Sequence, residues 1–376
     1  MIVHLFEDQR FVDITIENFE SVSKGQNRYV VFSNNKKLKY LSCRNNVVIL
    51  PNSSYKVDLD LIYKDCQFLI IHFLSPIKLY ILKHKPCNVQ VMWSVWGSDA
   101  YDHFNNQNLF EPLTKNIRKR SLYQFSKQFW IYTFYHFIMY RVLPVKKELK
   151  LLKKINYIST VLPCEFKAIR DEFDLDVEYV DYNYGVNKFT DFQDVKLGNS
   201  ILIGNSATSS NNHLDIFEII KSTSKKLVVP LSYGAYDFKN YKEKIILEGK
   251  KIFKNNFIPI TSYLSIHEYN NLLLSCNTTI MYHIRQQALG NIFSSLYVGM
   301  RVFLNSKSLT YIFLKDEGVI IFDLKKDYNK LIKYQTEKLD SILNSKIFSI
   351  SKEKSYKKLV NKIVEEINSL QLAPSE

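Results

Sequence analysis

A chain of 376 residues is too long for one ordinary core, so two α/β domains are the natural expectation. With 46% hydrophobic residues, 10 glycines and 9 prolines, disorder and collagen-like repeats are excluded. Five cysteines (Cys43, Cys66, Cys87, Cys164, Cys276) without a Cys-x-x-Cys pair indicate neither a zinc site nor a disulfide frame, which fits a reducing cytoplasm; the formal charge of +14 points to anionic partners.

The N-terminus, Met1-Ile2-Val3-His4-Leu5-Phe6-Glu7-Asp8, lacks a basic region and a long apolar core, so it reads as a first strand and not as a signal peptide. Apolar strand-like runs follow at Tyr29-Phe32, Val47-Leu50, Phe68-Phe73, Val89-Val95 and Ile155-Thr160. Helix-like or loop stretches separate them, as in a parallel sheet with covering helices. His72 closes one of these runs and is a candidate base or acceptor ligand; a structural histidine is the alternative, and His4 is similar but weaker. The run Val91-Met92-Trp93-Ser94-Val95-Trp96-Gly97-Ser98-Asp99 ends on a glycine followed by an acid. A carboxylate beside two tryptophans is partly desolvated, which raises its proton affinity and suits a general base. Trp93 and Trp96 offer flat walls for a sugar ring, and Asp99 with Ser98 also suits a helix cap.

Between residues 115 and 154 aromatics crowd between basic flanks: Lys115, Arg118, Lys119 and Arg120 before Ser121–Tyr140, then Arg141, Lys146 and Lys147. The apolar run is about 15 residues, too short and too polar to span a bilayer. It suits the headgroup zone of an anionic membrane, or else a buried helix pair between domains. Single-stranded nucleic acid is disfavoured, because no RNP-like strand pattern accompanies the aromatics. The polar, non-periodic stretch 181–198 reads as the linker.

The second half alternates strand 201–203, helix 212–222, strand 226–231, helix 239–252, strand 256–260, helix 265–274, strand 278–283, helix 290–299 and strand 301–304, a Rossmann-like rhythm. Two strand-to-helix turns stand out, about 80 residues apart. Gly204-Asn205-Ser206-Ala207-Thr208-Ser209-Ser210 offers a tight backbone and many donors at a strand's C-terminal end. Arg285-Gln286-Gln287-Ala288-Leu289-Gly290-Asn291 places an arginine beside a helix N-terminus, where unpaired N–H groups and the helix dipole favour phosphate. Neither is a P-loop or a G-x-G-x-x-G fingerprint. Two such turns suit one α/β domain gripping a nucleotide from two sides. Lys352 to Leu370 reads as a last amphipathic helix.

The pieces Trp93-x-x-Trp96-Gly97-x-Asp99-x-Tyr101, Ile203-Gly204-Asn205-Ser206, Val229-Pro230-Leu231-x-Tyr233 and Arg285-Gln286-Gln287-x-x-Gly290 occur in the order and spacing of a known family. From about residue 60 to 320 the chain resembles the dTDP-N-acetylfucosamine:lipid II N-acetylfucosaminyltransferases (4-acetamido-4,6-dideoxygalactose transferases). It departs from them at Ala207 and at Ala288-Leu289, where more glycine is expected, which bears on donor identity. The resemblance implies an α/β GT-B fold, two Rossmann-like domains facing each other across a cleft. It implies inversion at the anomeric carbon, no required metal or other cofactor, and a polyprenyl-diphosphate-linked acceptor at the inner face of the bacterial inner membrane. Gly204, Asn205, Ser206, Arg285, Gln286, Gln287, Gly290 and Asn291 would then hold the donor, with Tyr233 and Tyr263 alongside. Asp99, or secondarily His72, would be the base, and Trp93, Trp96 and Tyr101 would meet substrate.

The expected organisation is an acceptor domain over 1–190 carrying the membrane-facing segment 115–154, a nucleotide-sugar domain over 197–345, and a terminal helix over 350–372. Asp58-Leu59-Asp60 and Asp174-Leu175-Asp176 match a metal-binding Asp-x-Asp by letters alone, since neither follows a convincing strand in a nucleotide-binding half. The function expected is a cytoplasmic, peripheral-membrane transferase; a non-catalytic nucleotide-sugar or lipid-binding component is the alternative, and it has no need of Asp99.

Overall fold

Two wholly parallel sheets organise the computed structural model. It describes residues 1–9, 11–35, 38–42, 46–53, 57–104, 109–118, 134–135, 137–142, 148–182, 196–234, 240–329, 361 and 364–365. The chain divides into one unit of Met1–Asn105, Lys127–Gly185 and Lys354–Glu376, and a second of Asn106–Ser126 and Val186–Glu353.

In the first unit β1 (Ile2–Glu7), β2 (Asn27–Phe32), β3 (Val47–Leu50), β4 (Phe68–His72), β5 (Gln90–Ser94), β6 (Tyr157–Ser159) and β7 (Glu178–Tyr179) pair in the order β3-β2-β1-β4-β5-β6-β7. Helices α1 (Val12–Val22), α2 (Leu59–Tyr63), α3 (Pro76–Lys83), α4 (Ser98–Tyr101) and α5 (Glu165–Phe173) connect them. Central strands of a parallel sheet are covered on both faces, which is why β1 and β4 are continuous apolar runs. Period-2 alternation sorts their residues. Val3, Leu5, Leu69, Ile71, Val91 and Trp93 pack with α3 and α5, while Ile2, Phe6, Phe68, Ile70 and Met92 pack with Val12, Ile16 and Phe19 of α1. His4 and His72 share the α1 face by the same parity.

In the second unit β8 (Ser200–Ile203), β9 (Leu227–Pro230), β10 (Phe257–Ile260), β11 (Cys276–Met281), β12 (Arg301–Leu304) and β13 (Phe322–Asp323) pair in the order β10-β9-β8-β11-β12-β13. Its helices are α6 (His213–Ile220), α7 (Tyr241–Phe253), α8 (Ile266–Leu274), α9 (Leu289–Tyr297) and α10 (Leu309–Asp316). One face is sealed by Ile216, Phe217, Ile220, Tyr241 and Ile245 against Ile201, Ile203, Val229, Ile280 and Phe303.

The strand order reverses between β1 and β4 in one sheet and between β8 and β11 in the other. Open α/β sheets bind ligands outside the strands' C-terminal ends at such a reversal. Two Rossmann-like units are therefore as expected, and the strands sit within a few residues of their sequence-based positions. Three details differ. The two-residue edge strands β7 and β13 carry too little pattern to be seen in sequence. The stretch read as linker begins inside the first core, because Tyr182 is buried against Phe19. It also ends packed, since a Cβ on Gly198 would stand 2.1 Å from the Ser275 carbonyl oxygen. Of the terminal helix, Asn361, Val364 and Glu365 are helical, and Val364 packs on the α1-side cluster; the rest lies outside the described residues.

Candidate donor and acceptor edges

The turn after β8 is built around a buried amide. Asn211 Oδ1 accepts from the Asn205 N–H (3.0 Å) and pairs with His283 Nε2 (2.8 Å), while its Nδ2 donates to the Ser206 and Thr208 carbonyls at 3.0 and 3.1 Å. Gly204 turns at φ +64, and a Cβ there would stand 2.6 Å from Asn211 Oδ1 and 2.9 Å from His213 Nε2. Only glycine fits this bend without displacing both groups. Burial pushes His213 down to about 3. His283 is pushed well below its ordinary value by burial first, then by the charges of Arg285 and His213. Both rings are neutral, so Asn211 receives an Nε2–H from His283.

The second turn, after β11, is stitched to the first. Gln287 Nε2 donates to Asn205 Oδ1 (2.8 Å) and Thr208 Oγ1 (3.1 Å), and Gln287 Oε1 accepts from Ser210 Oγ (2.6 Å). Asn205 Nδ2 donates to the Tyr233 hydroxyl at 3.1 Å. The two turns singled out in the sequence are thus one polar surface, with Tyr233 following β9 and Tyr263 following β10 on one side, both more than half exposed.

Three groups in the second turn face no protein partner. Arg285 is half-buried and makes no hydrogen bond or ion pair among the described residues. Gln286 is buried, yet its Oε1 has no partner among them. Helix α9 starts from Ala288 at φ +58 with no side-chain cap, whereas α8 has a full Ser265–Glu268 capping box and α10 is capped by Ser308. An uncapped helix start beside a guanidinium is an anion site in physical terms. Asn291 does not join it through its amide nitrogen, which donates to the Tyr269 hydroxyl at 2.8 Å. Gly290 is exposed with nothing within 4 Å of an added Cβ, so no close contact requires a glycine there.

The first unit's residues stand differently. Asp99 is buried: Oδ2 accepts from the Leu74 N–H and Trp93 Nε1, and Oδ1 from the Trp96 N–H, all at 2.9 Å. Burial pushes its carboxyl above the ordinary range, against the pull of those donors. Proton affinity therefore rises as expected, but the group braces two backbone turns, and the general-base expectation is corrected on that ground. It reaches back to Trp96 across the start of α4, whose N-cap is Gly97. His72 is also buried, stacked on Phe6 at 3.9 Å with Nε2 3.1 Å from His4 Nδ1, which removes it from contact with a ligand in solution. Trp93 is a core residue, and Tyr101 is buried with its hydroxyl donating to Glu165 Oε1 at 2.8 Å. Trp93 therefore offers no wall for a sugar, and Trp96 is half-buried with edge contacts to Phe11 and Phe73.

Sequence reasoning missed the groups at the reversal itself. Lys78 is fully buried, with Nζ donating to the His72 and Phe73 carbonyls at 2.6 and 2.9 Å and standing 3.9 Å from Glu7 Oε1. The readable signal was a lysine inside the otherwise apolar helix Pro76–Lys83. It also missed a strap on the second unit. Buried Glu111 accepts from Asn305 Nδ2 (3.0 Å), Lys307 Nζ (2.9 Å) and Lys325 Nζ (2.9 Å). Burial pushes its carboxyl up, and these partners outweigh it and hold it below the ordinary range. Asn212 Oδ1 accepts from the Glu111 N–H, Asp215 accepts from the Leu113 and Thr114 N–H groups, and Arg118 donates to Ser209 Oγ at 2.6 Å. The strap so brackets the turn after β8 from residues far upstream.

Both Asp-x-Asp pairs have local duties. Asp58 caps α2, and Asp174 pairs with Lys153 at 2.8 Å on the surface. Among the described residues no group of three or more His, Cys, Asp or Glu side chains is placed to hold a metal, and no helix is long and apolar enough to cross a membrane. The aromatic run is largely outside the described residues; Phe134, Tyr135, Phe137 and Ile138 within it are exposed.

Residues 183–365 match the family of 4-alpha-L-fucosyltransferases, glycosyl transferase group 56, which bears out the resemblance seen in the sequence. No curated protein matches the chain. Among solved structures it is similar to a UDP-forming alpha,alpha-trehalose-phosphate synthase from Burkholderia vietnamiensis (TM-score 0.62, 7% identity, covering 98% of this chain and 100% of that one). It is similar also to Alr3699/HepE from Anabaena in complex with UDP (0.60, 8%, 98% and 100%). The trehalose-6-phosphate phosphatase N-terminal domain of Candida albicans gives 0.61 at 11% identity, covering 99% and 97%. At these identities the likeness is one of fold, and that fold is GT-B.

Proposed function

We propose, for a chain whose residues 183–365 carry the sequence of a glycosyltransferase family on a GT-B fold, that it is an inverting transferase. It moves a deoxyamino sugar from a nucleoside diphosphate, dTDP first among them, to a polyprenyl-diphosphate-linked saccharide for bacterial surface polysaccharide. The observation that carries the reading is Arg285, without a hydrogen bond or ion pair among the described residues, beside the uncapped start of α9, joined through Gln287 to the Gly204–Ser210 turn. Departure of a nucleoside diphosphate builds negative charge on phosphate, and a guanidinium with helix N–H groups stabilises it without requiring a metal. Asn205, Ser206 and Gln286 supply further polar contacts, and Tyr233 and Tyr263 are the rings for the base. The acceptor's lipid end supports a place at the inner face of the cytoplasmic membrane. The exposed Phe134, Tyr135 and Phe137 near Arg141, in a chain of formal charge +14, suit that surface.

The test is thermal stabilisation by dTDP, UDP, GDP and CMP, each with EDTA and again with magnesium. A ligand specific for the folded state at 100 times its Kd stabilises by about 2.7 kcal/mol. We expect metal-independent stabilisation by dTDP, and in Arg285→Ala a dissociation constant raised roughly 10- to 100-fold, the worth of one charge-assisted contact. Absence of a shift with every nucleotide would sink the reading, and a shift only with magnesium would move it to a metal-dependent enzyme.

A further inference from the structure

With Asp99 and His72 enclosed, and Asp8 held by the Lys39 and Tyr40 N–H groups, Glu7 is the acid left at the first unit's strand reversal among the described residues. Glu7 is the last residue of β1, and β1 borders the reversal with β4. Its side chain is 23% exposed, whereas those of Lys78, His72 and Asp99 around it are buried. Lys78 Nζ stands 3.9 Å from Glu7 Oε1, and Gln9 Nε2 donates to Oε2 at 3.4 Å. Polar atoms without partners collect at the same strand ends. Ser94 Oγ at the end of β5, Ser75 Oγ in the turn after β4, and Gln9 Oε1 after β1 are all buried and unpaired among the described residues. Buried polar atoms are satisfied in nearly all native structures, so such a set at a ligand-binding edge marks where a polyhydroxylated ligand belongs.

The turn that frames this edge is clamped from two sides. Phe73 adopts φ +65, Lys78 donates to its carbonyl and to that of His72, and Asp99 accepts from the next N–H, that of Leu74. Lys78 and Asp99 thus act as positioning residues, and Glu7 is what they leave open.

We propose that Glu7 takes the proton of the acceptor's attacking hydroxyl. This rests on the inverting transfer proposed above. The acceptor oxygen bonds to the anomeric carbon while its proton passes to the Glu7 carboxylate. The bond from that carbon to the diphosphate breaks, and its electron pair leaves on the nucleoside diphosphate. Lys78 Nζ is the charged neighbour of the Glu7 carboxyl at 3.9 Å, and half-buried Gln9, whose amide nitrogen donates to Glu7, receives a neighbouring acceptor hydroxyl. Among the described residues the charged partner of Glu7 is Lys78 from α3, on which Asp99 of α4 also acts.

The experiment compares wild type with Glu7→Gln and Glu7→Asp, using the nucleotide-sugar picked out by thermal stabilisation and a synthetic short-chain polyprenyl-diphosphate disaccharide. Positioned general bases contribute roughly 10²- to 10⁴-fold. We expect Glu7→Gln to lower kcat by that factor and to abolish the acidic limb of the pH–rate profile. Its melting temperature and nucleotide affinity should stay at wild-type values, and Glu7→Asp should recover part of the rate with the limb restored. A Glu7→Gln enzyme that keeps the wild-type rate, or that slows with its acidic limb intact, overturns the assignment. Wild type that binds nucleotide without transferring removes the catalytic reading of the whole chain along with Glu7, and is distinguished by its own silence.

Discussion

The two sheets share a plan, yet their ligand edges are furnished in opposite ways. At the β8/β11 reversal the polar groups are neutral amides and hydroxyls bonded to one another, and Arg285 makes no hydrogen bond or ion pair among the described residues. At the β1/β4 reversal the charges Lys78 and Asp99 are consumed inside the protein, and Glu7 beside them keeps 23% of its side chain exposed. A preorganised edge can therefore spend its charge on a ligand or on its own backbone. In the proposed reading the β8/β11 edge does the first, because a positive group is worth most where negative charge develops. The β1/β4 edge does the second because holding an αL turn at Phe73 requires both a donor and an acceptor.

Breaking the self-satisfied edge should cost most. Asp99→Ala removes the acceptor of two buried N–H groups and one half-buried one, and we expect a loss of about 3–5 kcal/mol in the unfolding free energy, read from urea midpoints. A change near zero would mean that the three donors find water.

The β8/β11 edge should yield less stability and, in the proposed reading, more binding. Gly204→Ala puts a Cβ against Asn211 and His213 in a left-handed backbone, at a cost of about 1–3 kcal/mol and the loss of nucleotide-dependent stabilisation. Gly290→Ala, in the open first turn of α9, is the matched control. It should be neutral or stabilising by up to about 1 kcal/mol.

Lowering pH should affect both edges alike. His4 and His213 are pushed down to about 3 by burial, and His72 and His283 lie well below their ordinary value. Above about pH 6.5 both folded and unfolded chains hold these rings neutral, and their contribution is intact. Below it the unfolded chain takes up protons that the folded chain refuses. Stability then falls by about 1.4 kcal/mol per pH unit per histidine, down towards pH 3. Urea midpoints between pH 7.5 and 5 should drop together by fluorescence and circular dichroism. A flat profile would contradict the burial of these rings.

Much of this was legible along the chain. Apolar runs between turn residues located β1 to β6 and β8 to β12, because a strand buried on both faces has to be apolar throughout. Gly204 and Arg285 were legible because a tight turn and a helix start leave local marks. Asp99, Trp93 and Tyr101 misled for the same reason: their neighbours in sequence describe a strand end, while their burial depends on Leu74, Glu165 and Phe173 from other elements. Glu111 left no mark at all, since Asn305, Lys307 and Lys325 lie some 200 positions away.

By itself, then, the sequence determined two parallel α/β units and the two phosphate-compatible turns, because periodicity and turn chemistry act over a few residues. Only the tertiary structure decided which charged side chain remains available at each edge. That choice is made where strands distant in sequence lie side by side and one buried group satisfies, or leaves unsatisfied, another.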